Sequence, residues 1–422
     1  MSTIATDVRP QPETTSAPAT PRRTAFWLLA FVFAVVMLGT TLPTPLYVIY
    51  QARWHFPAAV ITVIFAVYAA GVLAALLLAG RSSDQAGRKP VLAVALGASA
   101  LSTVVFILAP DAGVLLAGRI VSGLSAGLMT GTATAALTKL ARGSRRASLV
   151  ATVANMGGLG LGPLVAGLFA QYLPRPTVAV FAAYLAVLAV AALALLFIPE
   201  TVIPETLSPE TLSPRRRPAL RFTGLGIPAA GRGEFLAAAA AAFSAFSLLG
   251  LFSALAPTFL ATVLHEHSHA IAGAVVFLLF AAGTVAQLLA SRFSSRGVML
   301  AGLALLLAGL ALIVAGLAQA ALGEFLAGTV VAGVAVGAVF LGSLATANRL
   351  APPGRRGQVI SAYFVACYCG LTMPVIGVGV LAGFIGDFPA VLALSVLVAA
   401  LCLVALVSIA RARAPRQAVL SP

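Results

Sequence analysis

The sequence predicts an all-α membrane protein of twelve transmembrane helices in two six-helix pseudo-repeats. Three observations carry this expectation. Charges are too few to cover a water-facing surface, twelve apolar segments are each long enough to cross a bilayer, and the basic residues gather in alternate connections. Of the 422 residues 61% are hydrophobic and only 9% charged, against about 25% charged in soluble domains. The mean hydropathy is +1.06. A formal charge of +15 would point a soluble protein toward nucleic acid. Here the cations form short blocks between apolar runs, so topology explains them and no nucleic-acid partner is expected.

Residues 1–25, rich in Thr, Pro, Ala and Ser, read as a disordered cytoplasmic tail. The apolar run from Phe26 is too long for a signal peptide and lacks a small-residue cleavage site, so it reads as the first span. The spans are expected at 26–49, 57–80, 90–109, 112–136, 147–170, 176–198, 233–261, 270–290, 298–318, 322–346, 358–382 and 388–410. The breaks at Pro110-Asp111 and near Gln319 are short, but merging across either would leave a run of roughly 50 residues, far beyond one crossing. Residues 199–232 carry Pro-Glu-Thr at 199, 204 and 209, poor helix and good linker. They separate an N-terminal bundle, 26–198, from a C-terminal bundle, 233–410, with a second cytoplasmic tail at 411–422. With the N-terminus inside, 23 of the 26 Lys and Arg fall in cytoplasmic segments, as the positive-inside rule requires. Only Arg53 and Arg175 lie outside, and Arg119 lies within a span. The expected location is the cell's inner (plasma) membrane, multi-pass, with both termini cytoplasmic. Cys367, Cys369 and Cys402 sit in apolar runs and read as packing residues.

Between spans 2 and 3 runs Gly80-Arg81-Ser82-Ser83-Asp84-Gln85-Ala86-Gly87-Arg88-Lys89, a tight loop of net charge +2. Gly87 permits a sharp turn, and Gly80 a close helix contact. A shift of 210 residues superposes Ala117-Gly118 on Ala327-Gly328, Gly123 on Gly333, Gly127 on Gly337 and Arg145-Arg146 on Arg355-Arg356. Two six-helix repeats around a central path are a transporter architecture.

These residues together resemble the major facilitator superfamily. Gly80, Asp84, Gly87, Arg88 and Lys89 occupy the positions of that family's loop 2–3 motif, and the likeness covers roughly residues 26–410. Leu38-Gly39 with Pro43 and Pro45, Arg119 with Gly123 and Gly127, and Gly158, Gly162-Pro163 and Gly167 are similar to the patterns of its twelve-span drug:proton antiporters. The second copy of the loop is degraded, with Ser294 in place of the acid. The resemblance implies that Asp84 meets the positive N-terminus of span 11 near Gly357-Gln358, favourable by about 0.3–1 kcal/mol, and latches the bundles. It also implies that Arg119 binds an anionic group or modulates a proton site.

Charge within a span is costly and is kept for function, although an arginine held by backbone carbonyls would serve structure alone. Pro163 removes a helix hydrogen bond, which favours a bend where the halves rock. Tyr47, Tyr68, Asn155, Gln287 and Tyr363 are the polar candidates for a cavity otherwise lined by Ala, Val, Leu and Phe. His265-Glu266-His267-Ser268-His269 reads as an exposed polar loop rather than a zinc site, since the spacing is not that of a metalloprotease helix. No phosphate loop, catalytic group or metal pair is present, so neither an enzyme nor a cofactor is expected. The departure from an exporter is the missing mid-span acid: Asp111, Glu324 and Asp387 lie at outer ends and Glu234 at an inner end.

The expected function is a secondary active transporter, monomeric and surrounded by lipid. It would export small apolar or amphipathic compounds by alternating access, driven by a proton gradient, as in drug-resistance efflux. The fold also accommodates an importer of a metabolite or organic anion, and a membrane signalling or scaffold protein that no longer transports.

Overall fold

The computed structural model describes residues 22–79, 87–141, 145–200, 225–228, 231–352 and 354–411. Gly80 and Asp84, both tails up to residue 21 and from 412, and the linker over 201–224 lie outside these residues.

Among the described residues twelve helices are long and apolar enough to cross a membrane: Arg22–Trp54, Ala59–Leu77, Arg88–Leu108, Ala112–Leu140, Arg146–Tyr172, Pro176–Leu196, Arg232–Thr262, His269–Ala290, Ser295–Ala318, Leu322–Leu350, Arg356–Ile385 and Asp387–Arg411. These are spans 1 to 12. Several run a turn or more beyond the apolar segment that marks them in sequence, as at Leu140 and Leu350. The backbone ladder continues past the last apolar residue, since a helix end in water loses nothing by one more turn.

The spans are apolar nearly all round, so periodicity does not say which face is inside. Small residues do. Gly123 and Gly127 of span 4 rest on the carbonyls of Tyr68 and Val72 in span 2. In the second half Gly333 and Gly337 of span 10 rest on those of Leu279 and Gly283 in span 8. A side chain at any of these four positions would collide with backbone, which is why glycine stands at each. The same helix pair, closed by the same glycines, is the 210-residue repeat in three dimensions.

Each half packs its own core. Leu29, Phe33, Met129 and Phe181 belong to the first, and Phe252, Val336, Tyr363 and Cys402 to the second. Phe65, Ala69 and Met156 cross the boundary and pack in the second core. The three cysteines are free thiols.

Even-numbered connections such as 2–3, 8–9 and 10–11 share one end of the molecule, here the basic end. Side-chain caps close several helix starts. Asp111 accepts from Val114 N at 3.0 Å and Ser268 from Ile271 N at 3.3 Å. Ser294 accepts from Gly297 N at 3.3 Å. The residue that replaces the loop acid in the second repeat is therefore an ordinary N-cap.

Candidate transport site

The site grows from a break in span 1. Pro43 and Pro45 offer no N–H, so the α-helix stops at Thr41. The chain passes a 3-10 turn, Thr44–Leu46, and resumes as Tyr47–Trp54. The break leaves carbonyls free, and Arg119 of span 4 takes one. Its Nη1 donates to Thr40 O at 2.5 Å. The guanidinium carbon lies 4.5 Å from the centre of the Tyr68 ring, a cation–π arrangement between spans 4 and 2. Arg119 is only 1% exposed. The structure thus brings Arg119 and Tyr68 together and buries Tyr47 in the segment that follows the break. It holds Arg119 by a carbonyl and a ring, not by an acid. Arg349 pairs with Glu234, joining spans 10 and 7 at the basic end.

Span 5 forms part of the seam between the bundles. Its glycines divide by face. Gly158 and Gly162 pack on Ala34 and Leu38 of span 1, within their own bundle, whereas Gly167 packs on His269 and Gly273 of span 8. Pro163 frees the carbonyl of Leu159, and Thr41 Oγ1 of span 1 donates to it at 2.7 Å. The unpaired group that proline creates is thereby satisfied. Before the proline, Val153–Gly157 winds as a π-turn, a widening found mostly where function needs it. Asn155 lies in it, half-buried. The antiparallel register that sets Gly160 on Phe280 and Gly167 on Gly273 puts Asn155 level with Val285, two residues before Gln287. Gln287 is buried with its Nε2 unpartnered.

At the end opposite the basic loops the bundles touch closely. Gly167 meets Gly273, Gln171 Oε1 accepts from His269 N at 2.9 Å, and Gly379 of span 11 lies against Thr62 of span 2.

Sequence reasoning missed an aromatic cluster on the second bundle. Phe246 stands 5.6 Å from Phe340 and 6.2 Å from Tyr368, centre to centre. Phe340 is 6.5 Å from Tyr363, and Phe364 is 6.4 Å from Tyr368. Tyr368 packs against both cores, so the cluster reaches the seam. Tyr363 itself is fully buried, its hydroxyl 2.8 Å from Ser343 Oγ inside its own bundle. Phenylalanines scattered over spans 7, 10 and 11 have no signature in one dimension.

Of the loop 2–3 motif, Gly87, Arg88 and Lys89 lie within the described residues. Gly87 has φ +90, open to glycine alone at no cost. The carboxylate of Glu200, at the end of span 6, accepts from Arg88 N at 3.1 Å and Lys89 N at 3.0 Å. An acid thus caps the N-terminus of span 3, across 111 residues of chain or more. Lys89 Nζ donates to Leu196 O at 2.9 Å and Arg88 Nη1 to Ala135 O at 3.1 Å. The second half repeats the arrangement, Arg296 Nη2 donating to Ile409 O at 2.9 Å. Asp84, which the resemblance places near Gln358, lies outside the described residues; among those described, the linker's end reaches Gln358, where Gly226 N donates to Gln358 O at 3.2 Å.

The acids at span ends all have local partners. Asp387 Oδ2 accepts from Thr262 Oγ1 at 2.9 Å and Glu324 Oε2 from Gln319 Nε2 at 3.1 Å. In the histidine loop, Glu266 Oε1 accepts from Ser268 N at 2.9 Å. Among the described residues no three His, Cys, Asp or Glu gather as a metal set.

Comparison with known proteins agrees with this architecture. Over 123 residues the chain is 35% identical to a triacylglyceride transporter of Mycolicibacterium hassiacum, covering 29% of this chain and 23% of that one. Over 63 residues it is 43% identical to the multidrug resistance protein MdtL of Escherichia coli, covering 15% and 16%. The matched stretches thus span less than a quarter of those relatives' length. The fold is similar to the crystal structures of nucleoside transporter NupG, with TM-score 0.71 at 13% identity over 92% of this chain and 99% of that one, and of the human organic anion transporter MFSD10 (TETRAN), with TM-score 0.63 at 20% identity over 92% and 100%. The description of the Major Facilitator Superfamily matches residues 29–370. With twelve candidate spans in two glycine-closed repeats, the chain belongs to the major facilitator superfamily.

Proposed function

We propose that the protein exports small, largely apolar or amphipathic compounds across the cell membrane in exchange for protons, by alternating access. The observation that carries this reading is the aromatic cluster of Phe246, Phe340, Tyr363, Phe364 and Tyr368, which reaches the seam between the bundles with no charged side chain among its members. Rings of this kind bind flat or greasy molecules by area and by edge contacts, without asking for one hydrogen-bond pattern. Multidrug resistance and triacylglyceride transport, the activities in the names of two relatives, fit lipophilic cargo. Exchange for protons is supported by the Gly-Pro pattern of span 5, which lies where the bundles meet. In this reading the basic end is cytoplasmic, the protein acts as a monomer, and Asp84 latches the bundles when they close there.

The test is a pH-sensitive dye in energised inverted vesicles, with a panel of lipophilic cations, neutral drugs and organic anions. Wild type is compared with Asp84→Asn and Tyr368→Ala. Dye recovery on adding a lipophilic compound, lost in Asp84→Asn and weakened for bulky compounds in Tyr368→Ala, is the expected outcome. Folded protein that answers only to organic anions would replace this reading with the second one, an organic-anion carrier, which the acid-free surroundings of Arg119 favour.

A further inference from the structure

Spans 3 and 6 leave an apolar groove of about 430 Å³ between them. Small residues make the room: Ala93, Gly97 and Ala100 of span 3 and Ala189 and Ala192 of span 6 line it. A Cβ on Gly97 would meet nothing within 4 Å, so the space beside it is open. Val94, Leu193 and Leu196 along the two helices are exposed, which places the groove on the surface that meets hydrocarbon. It belongs to the first repeat. Spans 3 and 9 start at Arg88 and Ser295 and bury matching residues, Val91, Leu92 and Leu96 against Val298, Met299 and Leu303. In that register Ala93 and Ala100 correspond to Leu300 and Leu307, which pack against the second core. Along span 6 the groove runs from Leu185 to Leu196, about 16 Å of helix. That is close to half of a hydrocarbon core about 30 Å thick, so the groove has the depth of one leaflet, the leaflet at the basic end. There Lys89, one turn before Ala93 on the same face of span 3, donates from Nζ to Leu196 O at 2.9 Å. That bond uses one of the three ammonium N–H groups and fixes a cation at the end of the groove. Arg88 reaches away to Ala135 O of span 4. Glu200 caps the helix start through backbone N–H groups and offsets one of the two charges, so this end stays positive.

We propose that this groove binds an anionic phospholipid of that leaflet, with one acyl chain between spans 3 and 6 and the phosphate on Lys89 Nζ. An apolar wall one leaflet deep takes a hydrocarbon chain by area. The ammonium at its end only donates and so takes phosphate oxygens, which accept. Attraction between surface cations and anionic lipid is general, and here the bond to Leu196 O ties the cation to the groove that holds the chain. A soluble phosphate compound would leave the groove empty, and a zwitterionic lipid would bring a second cation up to Lys89. The bound lipid braces spans 3 and 6 against each other at the basic end. The inference is independent of the compound carried and of the driving ion.

The experiment is thermal unfolding of the purified full-length chain in a neutral detergent, titrated with dioleoyl phosphatidylglycerol or with phosphatidylcholine of the same chains. For wild type the melting temperature should rise and saturate with phosphatidylglycerol, at a half-saturating concentration about fivefold or more below that for phosphatidylcholine, as selective binding to the native state requires. Lys89→Gln should remove that preference. Gly97→Leu puts a side chain into open space and should raise the half-saturating phosphatidylglycerol concentration about fivefold. Gly131→Leu, where a Cβ also meets nothing within 4 Å, should keep the wild-type value. Equal responses of wild type to the two lipids would overturn the proposal. So would a preference that Lys89→Gln keeps in full, or a phosphatidylglycerol response that Gly97→Leu keeps in full. An equal rise with glycerol phosphate alone would overturn it too, since the acyl chain would then play no part.

Discussion

Replacing Gly167 by alanine should open the end of the molecule opposite the basic loops. A Cβ on Gly167 would lie 3.1 Å from Gly273 Cα and 3.2 Å from Gly273 N, and closer still to the His269 carbonyl. Carbon atoms rest at about 3.5–4.0 Å, so spans 5 and 8 must part by about 0.5 Å. These are backbone atoms of a second helix and cannot swing aside. Overpacking of this kind costs about 1–3 kcal/mol, levied only on the conformation in which the two bundles touch. The gain in helix propensity, about 1 kcal/mol for Gly→Ala, is common to every conformation and cancels. A difference of 1–2 kcal/mol changes the ratio of conformations roughly 5- to 30-fold. The assay is a distance distribution between spin labels at Tyr172 and Phe384, both exposed at that end, in a background free of the native cysteines. The longer distance should grow in Gly167→Ala and stay at its wild-type share in Gly131→Ala, where a Cβ meets nothing within 4 Å. Folded Gly167→Ala with the wild-type distribution would refute the argument that this contact is what closes the end.

Three further outcomes follow from contacts described above. Glu200→Gln keeps the shape of the span 3 cap but loses its charge, and should lower stability by about 0.5–1 kcal/mol at low salt and less at high salt, read by thermal unfolding at two ionic strengths. Ser343→Ala strands the buried Tyr363 hydroxyl and should cost about 1–3 kcal/mol, whereas the double variant with Tyr363→Phe should recover part of the loss, a coupling that a double-mutant cycle measures. Tyr68→Leu keeps an apolar side chain but removes the ring beneath Arg119, which should cost about 0.5–2 kcal/mol. Tyr68→Phe should retain most of that, and equal unfolding of the two variants would deny the ring any role.

Some of this protein is legible along the chain because the bilayer imposes it. Hydrocarbon offers no hydrogen bonds, so every crossing must be a helix of at least the membrane's thickness, and water at the ends collects the charges. Length and hydropathy therefore count twelve spans, the basic blocks orient them, and the Pro-rich linker divides them into two sixes. Glycines at 123, 127, 333 and 337 even announce the closest helix contacts, since only glycine lets two backbones touch. The loop motif shows where a tight turn must fall, and φ +90 at Gly87 is the reason.

Other features were decided only by the packed structure. Spans that are apolar all round carry no record of which side meets lipid and which meets protein. Sequence therefore could not divide the span 5 glycines between span 1 and span 8, or gather Phe246, Phe340 and Tyr368 from three helices into one cluster. It could mark Arg119 as an intramembrane cation, but not that a carbonyl left free at the break of span 1 and a tyrosine ring hold it. It could not join Glu200 to the start of span 3 either, because that bond links residues more than a hundred positions apart. Contacts of this kind depend on how twelve nearly featureless cylinders are rotated about their axes, and that rotation is settled by side-chain packing in three dimensions.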